Sequence, residues 1–346
     1  MQDSRKVVLD TLEMRGPSRI PRQLWDVPWI FIHHPEEIKA IRRKYPDDIV
    51  WCERFLKRPA PVQGDPYAVG TYIDEWGSRF ENAQEGIIGE VKNALIRDED
   101  WEDWESVRLP REFCDLDTDA INAYCRSTDQ FVLSGTSARL FERLQFLAGT
   151  EKVLMDLLME PEAMYRMIDR VHQFFCEEIE AWAKTDVDGI FFQDDWGSQK
   201  GLLINPKLWE KLFKPRYREY VQIARAHGKK VFMHSDGNIL AIYPHLIDIG
   251  VDAVNSQIFC MGLENLAPFK GQITFWGEMD RQGIMAYGTP QQARDAVDRV
   301  ADLLWANGGV IGQMECGVGT DTDNCMAAMD QWTEVEKRLC PKERRH

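Results

Sequence analysis

The chain has 346 residues, 44% of them hydrophobic, and a formal charge of −15. Its length and apolar content suit one large strand–helix domain, while the negative balance argues against nucleic acid or an anionic membrane as partner. No apolar run reaches membrane-spanning length, the opening residues do not read as a signal peptide, and the eight cysteines, none in a Cys-x-x-Cys pair, read as reduced thiols of a cytoplasmic protein.

In chain order, residues 1–15 predict an amphipathic helix carrying Val7, Val8, Leu9, Leu12 and Met14. Residues 19–26 read as a short strand, 35–43 as a helix with proline in its first turn, and 48–52 as a second strand. Residues 55–112, rich in Pro, Gly, Trp and acid, break the rhythm. They predict a hairpin-bearing excursion that partly covers one end of the core. Helix is expected at 116–125, strand at 131–136, a short helix at 141–147, and one or two longer helices over 153–185 around Pro161. Strand 188–194, helix 206–227, strand 230–234 and helix 242–249 follow. Strands at 252–255, 273–277 and 310–314 come last, with helices at 290–306 and 323–338. Counted from Arg19, eight strands alternate with helices, the pattern of a (β/α)8 TIM barrel spanning residues 1–346 as one domain. A doubly wound open sheet is the runner-up, weakened because no glycine-rich phosphate fingerprint follows an early strand.

Two of these strands deliver ligand-type side chains at their carboxyl ends. One runs into His234-Ser-Asp236-Gly237-Asn238, the other into Glu315-Cys316-Gly317. Active sites of parallel strand–helix proteins are built there. An imidazole and a thiolate from two strand ends suggest zinc with an open position. Asp236 reads either as a further ligand or as a cap of the Gly237-Asn238 turn. Glu278 and Glu315 read as a third ligand, as proton donors, or as partners of Arg281. Strand alternation lets only one of Asp194 and Asp195 face the mouth; the expectation is Asp194 inward as a proton relay, with Asp195 and Gln193 outward. Trp25, Trp76, Trp196 and Trp276, with Asn255, are expected to wall a flat or apolar substrate pocket, ordinary packing being the alternative.

The series of motifs also resembles a known family. It comprises Leu202-Leu-Ile-Asn-Pro-Lys-Leu-Trp209, Lys214-Pro-Arg-Tyr-Arg218, the His234 segment, Thr274-Phe-Trp-Gly-Glu-Met-Asp280, Gly288-Thr-Pro-Gln-Gln-Ala-Arg294 and the Cys316 loop. It is similar to the uroporphyrinogen decarboxylase superfamily, in its methyltransferase-like branch. The likeness is strongest over 130–340 and looser at Asp74-Glu-Trp-Gly77 and Gly89-Glu-Val-Lys92. It implies a (β/α)8 barrel. It also implies one of two chemistries. The decarboxylases bind a polyanionic tetrapyrrole without metal, through an N-terminal Arg-Gln-Ala-Gly-Arg run. Residues 21–28 read Pro-Arg-Gln-Leu-Trp-Asp-Val-Pro, without that glycine and second arginine, which argues against heme-pathway decarboxylation. The methyltransferases use zinc held by a His-x-Cys pair and a cysteine after the last strand. By this resemblance His234 and Cys316 match two ligands, and Asp236 stands where the middle cysteine would be. A harder donor there fits activation of an oxygen substrate better than of a thiol. The implied activity is zinc-dependent transfer of a methyl group from a small O-methyl substrate to cobalamin (corrinoid) carried by a partner protein, with Asp194, Glu315 or Glu278 as acid. A homodimer is left open. The alternatives are a lyase acting on a small carboxylate through Asp194, Asp195 and Arg139, and a non-catalytic barrel that binds a tetrapyrrole.

Overall fold

The computed structural model describes residues 3–97, 101 and 107–340. Its strands are β1 (Arg22–Asp26), β2 (Ile49–Trp51), β3 (Gly70–Ile73), β4 (Arg79–Asn82), β5 (Glu90–Asn93), β6 (Phe131–Leu133), β7 (Gly189–Gln193), β8 (Lys230–Ser235), β9 (Ala253–Ser256), β10 (Thr274–Trp276) and β11 (Val310–Cys316). Eight of them form one sheet in the order β1-β11-β10-β9-β8-β7-β6-β2, and the pairs are parallel. The two end strands meet through the Asp48 N–H donating to the Arg22 carbonyl (2.8 Å) and the Gln23 amide donating to the Ile49 carbonyl (3.0 Å). The result is a (β/α)8 barrel, and each of its strands lies where the sequence places one.

The interior is packed. Ile49, Phe131, Leu133, Phe191, Phe232, Ala253, Trp276 and Ile311 fill the lumen, and Val8 and Leu12 of the helix Ser4–Leu12 plug its amino end. A larger apolar layer lies between the strands and the outer helices. The region predicted as one or two helices over 153–185 is two, Thr150–Met159 and Glu162–Ala183, parted at Pro161, whose ring ends one helix and is tolerated just before the next.

β3, β4 and β5 make a separate antiparallel sheet within the 55–112 excursion; residues 98–100 and 102–106 of that excursion lie outside the described residues. Its anchor is Asp74, which accepts from the Trp76 and Ser78 N–H groups and pairs with buried Arg143. Arg143 in turn lies over the Trp76 ring, 4.7 Å from its centroid. Trp76 packs against Phe174 and Phe175 of the outer helix Glu162–Ala183. The expected pocket role for Trp76 therefore does not hold: the indole is buried between excursion and helix layer. Among the described residues of the excursion, Tyr67 reaches the central cavity. Among the described residues no helix is long and apolar enough to cross a membrane.

Candidate functional site

His234 sits near the end of β8 and points to the barrel mouth. Its Nδ1 donates to Asn255 Oδ1 (2.6 Å), since the Asn255 amide nitrogen is committed to the Trp276 carbonyl (2.6 Å). That bond fixes the tautomer and leaves the Nε2 lone pair free. Nε2 lies 3.5 Å from Asp195 Oδ1 and 3.8 Å from Asp236 Oδ1. One donor atom from each of the three residues falls within 4.8 Å of the others. Asp195 is held in place by the Asp236 N–H, which donates to its Oδ1 (2.9 Å). Close packing of Gly197 on Gly237 holds the two loops together: a Cβ on Gly237 would come 2.1 Å from the Gly197 carbonyl oxygen.

Around this triad lies an excess of acid, offset in part by Arg281. Arg281 donates to Asp236 Oδ2 and, at 2.8 Å, to Glu315 Oε1, and it stands 3.4 Å from Glu278 Oε1. Glu278 is 2% exposed. Burial pushes its carboxyl well above the usual range, with Arg281 opposing and Glu315, Asp236 and Asp195 adding to the rise. Burial also raises Glu142, which Arg139 opposes and Asp195 reinforces. Asp236 Oδ1, Glu278 Oε1 and Glu142 Oε2 are all buried without a hydrogen-bond partner. Buried carboxylate oxygens are otherwise nearly always paired. Glu278 Oε1 and Glu142 Oε2 each face an arginine, at 3.4 Å from Arg281 and 3.8 Å from Arg139, which leaves Asp236 Oδ1, 3.8 Å from the free imidazole nitrogen, as the atom that fits a bound divalent cation.

A cavity of about 640 Å3 opens beside the triad. Trp25, Trp51 and Phe191 wall it, and Arg54, Gln193 and Glu315 supply polar groups. Trp25 links cavity and triad, its ring 5.3 Å from His234 and 5.2 Å from Trp276. Trp51 packs edge-on to Phe191 at 4.5 Å. The indoles of Trp25 and Trp276 both donate to Gln23 Oε1, at 3.0 and 2.9 Å, so a single buried amide satisfies the polar ends of the aromatic floor.

The family model for uroporphyrinogen decarboxylase (URO-D) matches residues 73–334. The chain belongs to the uroporphyrinogen decarboxylase family. A methyltransferase from Methanosarcina mazei, 12% identical, shares the fold with a TM-score of 0.63 over 96% of this chain and 98% of that one. A glycosylated endo-beta-1,4-xylanase of glycoside hydrolase family 10 from Gloeophyllum trabeum, also 12% identical, gives 0.41 over 93% and 99% of the two chains. No curated protein matches in sequence.

On this family barrel several expected residues change place. Cys316 does not join His234 and Asp236. It is fully buried on the helix side of β11, its Sγ 3.0 Å from that of Cys325 in the helix Thr322–Leu339. Asp195 takes the third place instead. Asp194 and Asp195 are exchanged relative to expectation: Asp194 faces the helix layer, accepting from the Phe141 and Glu142 N–H groups (2.9 and 2.8 Å) at the start of Leu140–Ala148 and from the Tyr217 hydroxyl. Burial pushes it up to about 8 despite those donors. Gln193 faces the cavity and not the helices. Its amide oxygen, once turned to face a donor, accepts from Arg139 at 3.1 Å, so the lyase alternative loses both Asp194 and a free Arg139. Trp196 stacks on Phe141 at 4.1 Å and donates to Tyr217, buried outside the lumen. Asn255 is fully buried and orients His234 without lining the pocket. Trp25 and Glu315 line the cavity and Glu278 adjoins them through Arg281, whereas Trp276 is fully buried in the lumen against Trp25 and does not line the pocket. Trp51, Phe191 and Glu142 are the site residues that sequence reasoning missed, and Asp195 is the one it turned the wrong way.

Proposed function

We propose that this protein is a metal-dependent methyltransferase, its barrel acting as one domain, that moves a methyl group from a small methyl ether to the cobalt(I) corrinoid of a partner protein. The observation that carries the reading is the convergence of His234 Nε2, Asp195 and the unpartnered Asp236 Oδ1 beside an aromatic cavity. The fold shared with the Methanosarcina mazei methyltransferase agrees with it. Zinc held by these three residues would polarise an ether oxygen and help an alkoxide leave. An N/O/O donor set is harder than one with two thiolates, which favours an oxygen substrate over a thiol.

The protein's own groups divide the remaining work. Asn255 fixes the imidazole so that Nε2 faces the site. Arg281 holds Asp236 and Glu315 in position and offsets their charge. Trp25, Trp51 and Phe191 take the apolar body of the substrate and keep water from the reacting carbon. Glu278, whose protonated form burial favours, holds a proton at the site that the departing oxygen can take.

The test is a single-turnover assay with zinc-loaded protein, a cobalt(I) corrinoid protein and a panel of O-, N- and S-methyl compounds. Wild type should consume cobalt(I) with an O-methyl donor, and His234→Ala should not. No transfer with any donor, from a protein that also retains no divalent metal, would overturn the reading.

A further inference from the structure

A second cluster of donors lies on the outer helix layer, away from the barrel mouth. His172 and Cys176 are four residues apart on the helix Glu162–Ala183 and so share a face. Glu219 meets them from the helix Lys214–Ala226. His172 Nε2 lies 2.8 Å from Glu219 Oε2 and 3.5 Å from Cys176 Sγ. One donor atom of each residue is within 4.8 Å of the other two. With zinc bonds of about 2.0 Å to N and O and about 2.3 Å to S, tetrahedral edges are about 3.3 Å for N···O and about 3.5 Å for N···S. The sulfur edge is already met, and the oxygen edge needs about half an ångström of movement from an exposed, adjustable glutamate.

One further observation favours a ligand here. The hydroxyl of Tyr220, itself 1% exposed, has no hydrogen-bond partner, and its ring lies 5.1 Å from that of His172. Arg216 and Asp169, the other charged neighbours of His172, pair with each other at 2.5 Å and leave the cluster to its three donors.

We propose that His172, Cys176 and Glu219 form a second metal site, separate from the mouth, for a thiophilic divalent ion such as zinc, with water completing the tetrahedron. Binding releases the Cys176 thiol proton to solvent, moves the imidazole proton of His172 from Nε2 to Nδ1, and replaces the His172–Glu219 hydrogen bond by one metal bond to each residue. The ion would staple two neighbouring outer helices. The second of these carries Tyr217, whose hydroxyl supports Asp194 beneath the site, so the staple braces the wall behind the mouth. The inference does not depend on the methyl-transfer reading.

Cobalt(II) titration of the full chain tests it. The mouth triad contains no sulfur, so a thiolate-to-cobalt charge-transfer band in the near ultraviolet reports the outer site. The band should saturate at about one ion per chain, survive in His234→Ala, and vanish in Cys176→Ser. His172→Gln, with an unchanged far-ultraviolet spectrum, should weaken cobalt binding by about tenfold or more. Zinc should raise the melting temperature of His234→Ala but not of the His234→Ala/Cys176→Ser pair. No band in wild type, or a band undiminished in Cys176→Ser, overturns the proposal. Methyl transfer that persists in Cys176→Ser but not in His234→Ala keeps the two sites experimentally distinct.

Discussion

Arg281→Met removes the one cation shared by Asp236, Glu315 and Glu278 while keeping most of the side-chain volume. Glu278 is 2% exposed, and burial favours its protonated form even beside Arg281. Where Glu278 is protonated in wild type, removing Arg281 breaks no buried charge pair there, and the cost comes from Asp236 and Glu315. These keep 29% and 20% side-chain exposure, and each lost pair costs about 0–1 kcal/mol because water replaces the partner. The two together give about 0–2 kcal/mol. Where Glu278 is ionised, the lost partner adds up to about 3–5 kcal/mol. The sign of the pH dependence follows from Glu278. Its folded pKa is already raised by burial, and loss of Arg281 raises it further. The gap between variant and wild type therefore widens as pH rises through the wild-type folded pKa of Glu278, and it stays small and flat below that value because both proteins then hold the proton. Urea melts with metal chelated, at about pH 5 and about pH 9, should show the larger gap at the higher pH. A gap that is the same at both, or larger at the lower pH, would refute the view that Arg281 offsets the charge of a buried acid cluster.

Cys316→Ala should leave metal content unchanged and lower stability by about 1–2 kcal/mol for lost buried contact, whereas Asp195→Ala should release the mouth metal and lower the content by about one ion per chain; elemental analysis of the two proteins separates the outcomes. Asn255→Ala frees the imidazole to rotate and should weaken metal binding by about 10–100-fold, measured by competition with a chelating dye. Asp194→Ala leaves two N–H groups and a tyrosine hydroxyl buried without their acceptor, at about 1–3 kcal/mol each, yet the folded variant should keep the wild-type transfer rate in single turnovers. In wild type, burial pushes Asp194 up to about 8, while an unfolded aspartate titrates near about 3.9. Its contribution to stability is therefore fully present below about pH 4 and declines as pH rises towards about 8, a slope that denaturant melts of Asp194→Asn should lack.

The eight strands were legible because each is a short apolar run between turn and helix signals, and barrel connections keep that rhythm over most of the chain. The 55–112 excursion was legible as an interruption but not in its contacts. Trp76 is set by Arg143 and Phe174, residues about 70 and about 100 positions further along, and no local pattern reports such a pairing. Trp196 was misplaced for a related reason. It follows a strand end, as mouth residues do, but the chain turns at Asp194 and drops the indole between Phe141 and Trp209 of the helix layer.

The exchange of Asp194 for Asp195, and of Cys316 for Glu315, comes from one cause. Barrel strands are buried on both faces, so β7 reads Gly-Ile-Phe-Phe-Gln and β11 Val-Ile-Gly-Gln-Met with no apolar–polar alternation to mark the lumen. A finer signal was present. Gln23, Gln193 and Gln313 are the single amides of their strands. A buried amide needs partners, and the lumen near the mouth, where Gln23 meets two indoles and Gln193 meets Arg139, supplies them more readily than an aliphatic helix interface does. Two residues beyond each amide, on the same face, stand Trp25, Asp195 and Glu315. The same step of two leads from lumen-filling Phe232 to His234 and from Trp276 to Glu278. On that parity the mouth presents imidazole and carboxylates, and the thiol of Cys316 is turned to the helices. The proposed metal therefore meets nitrogen and oxygen donors, a harder set than the family's thiolate pattern, and the substrate it suits shifts from sulfur to oxygen with it.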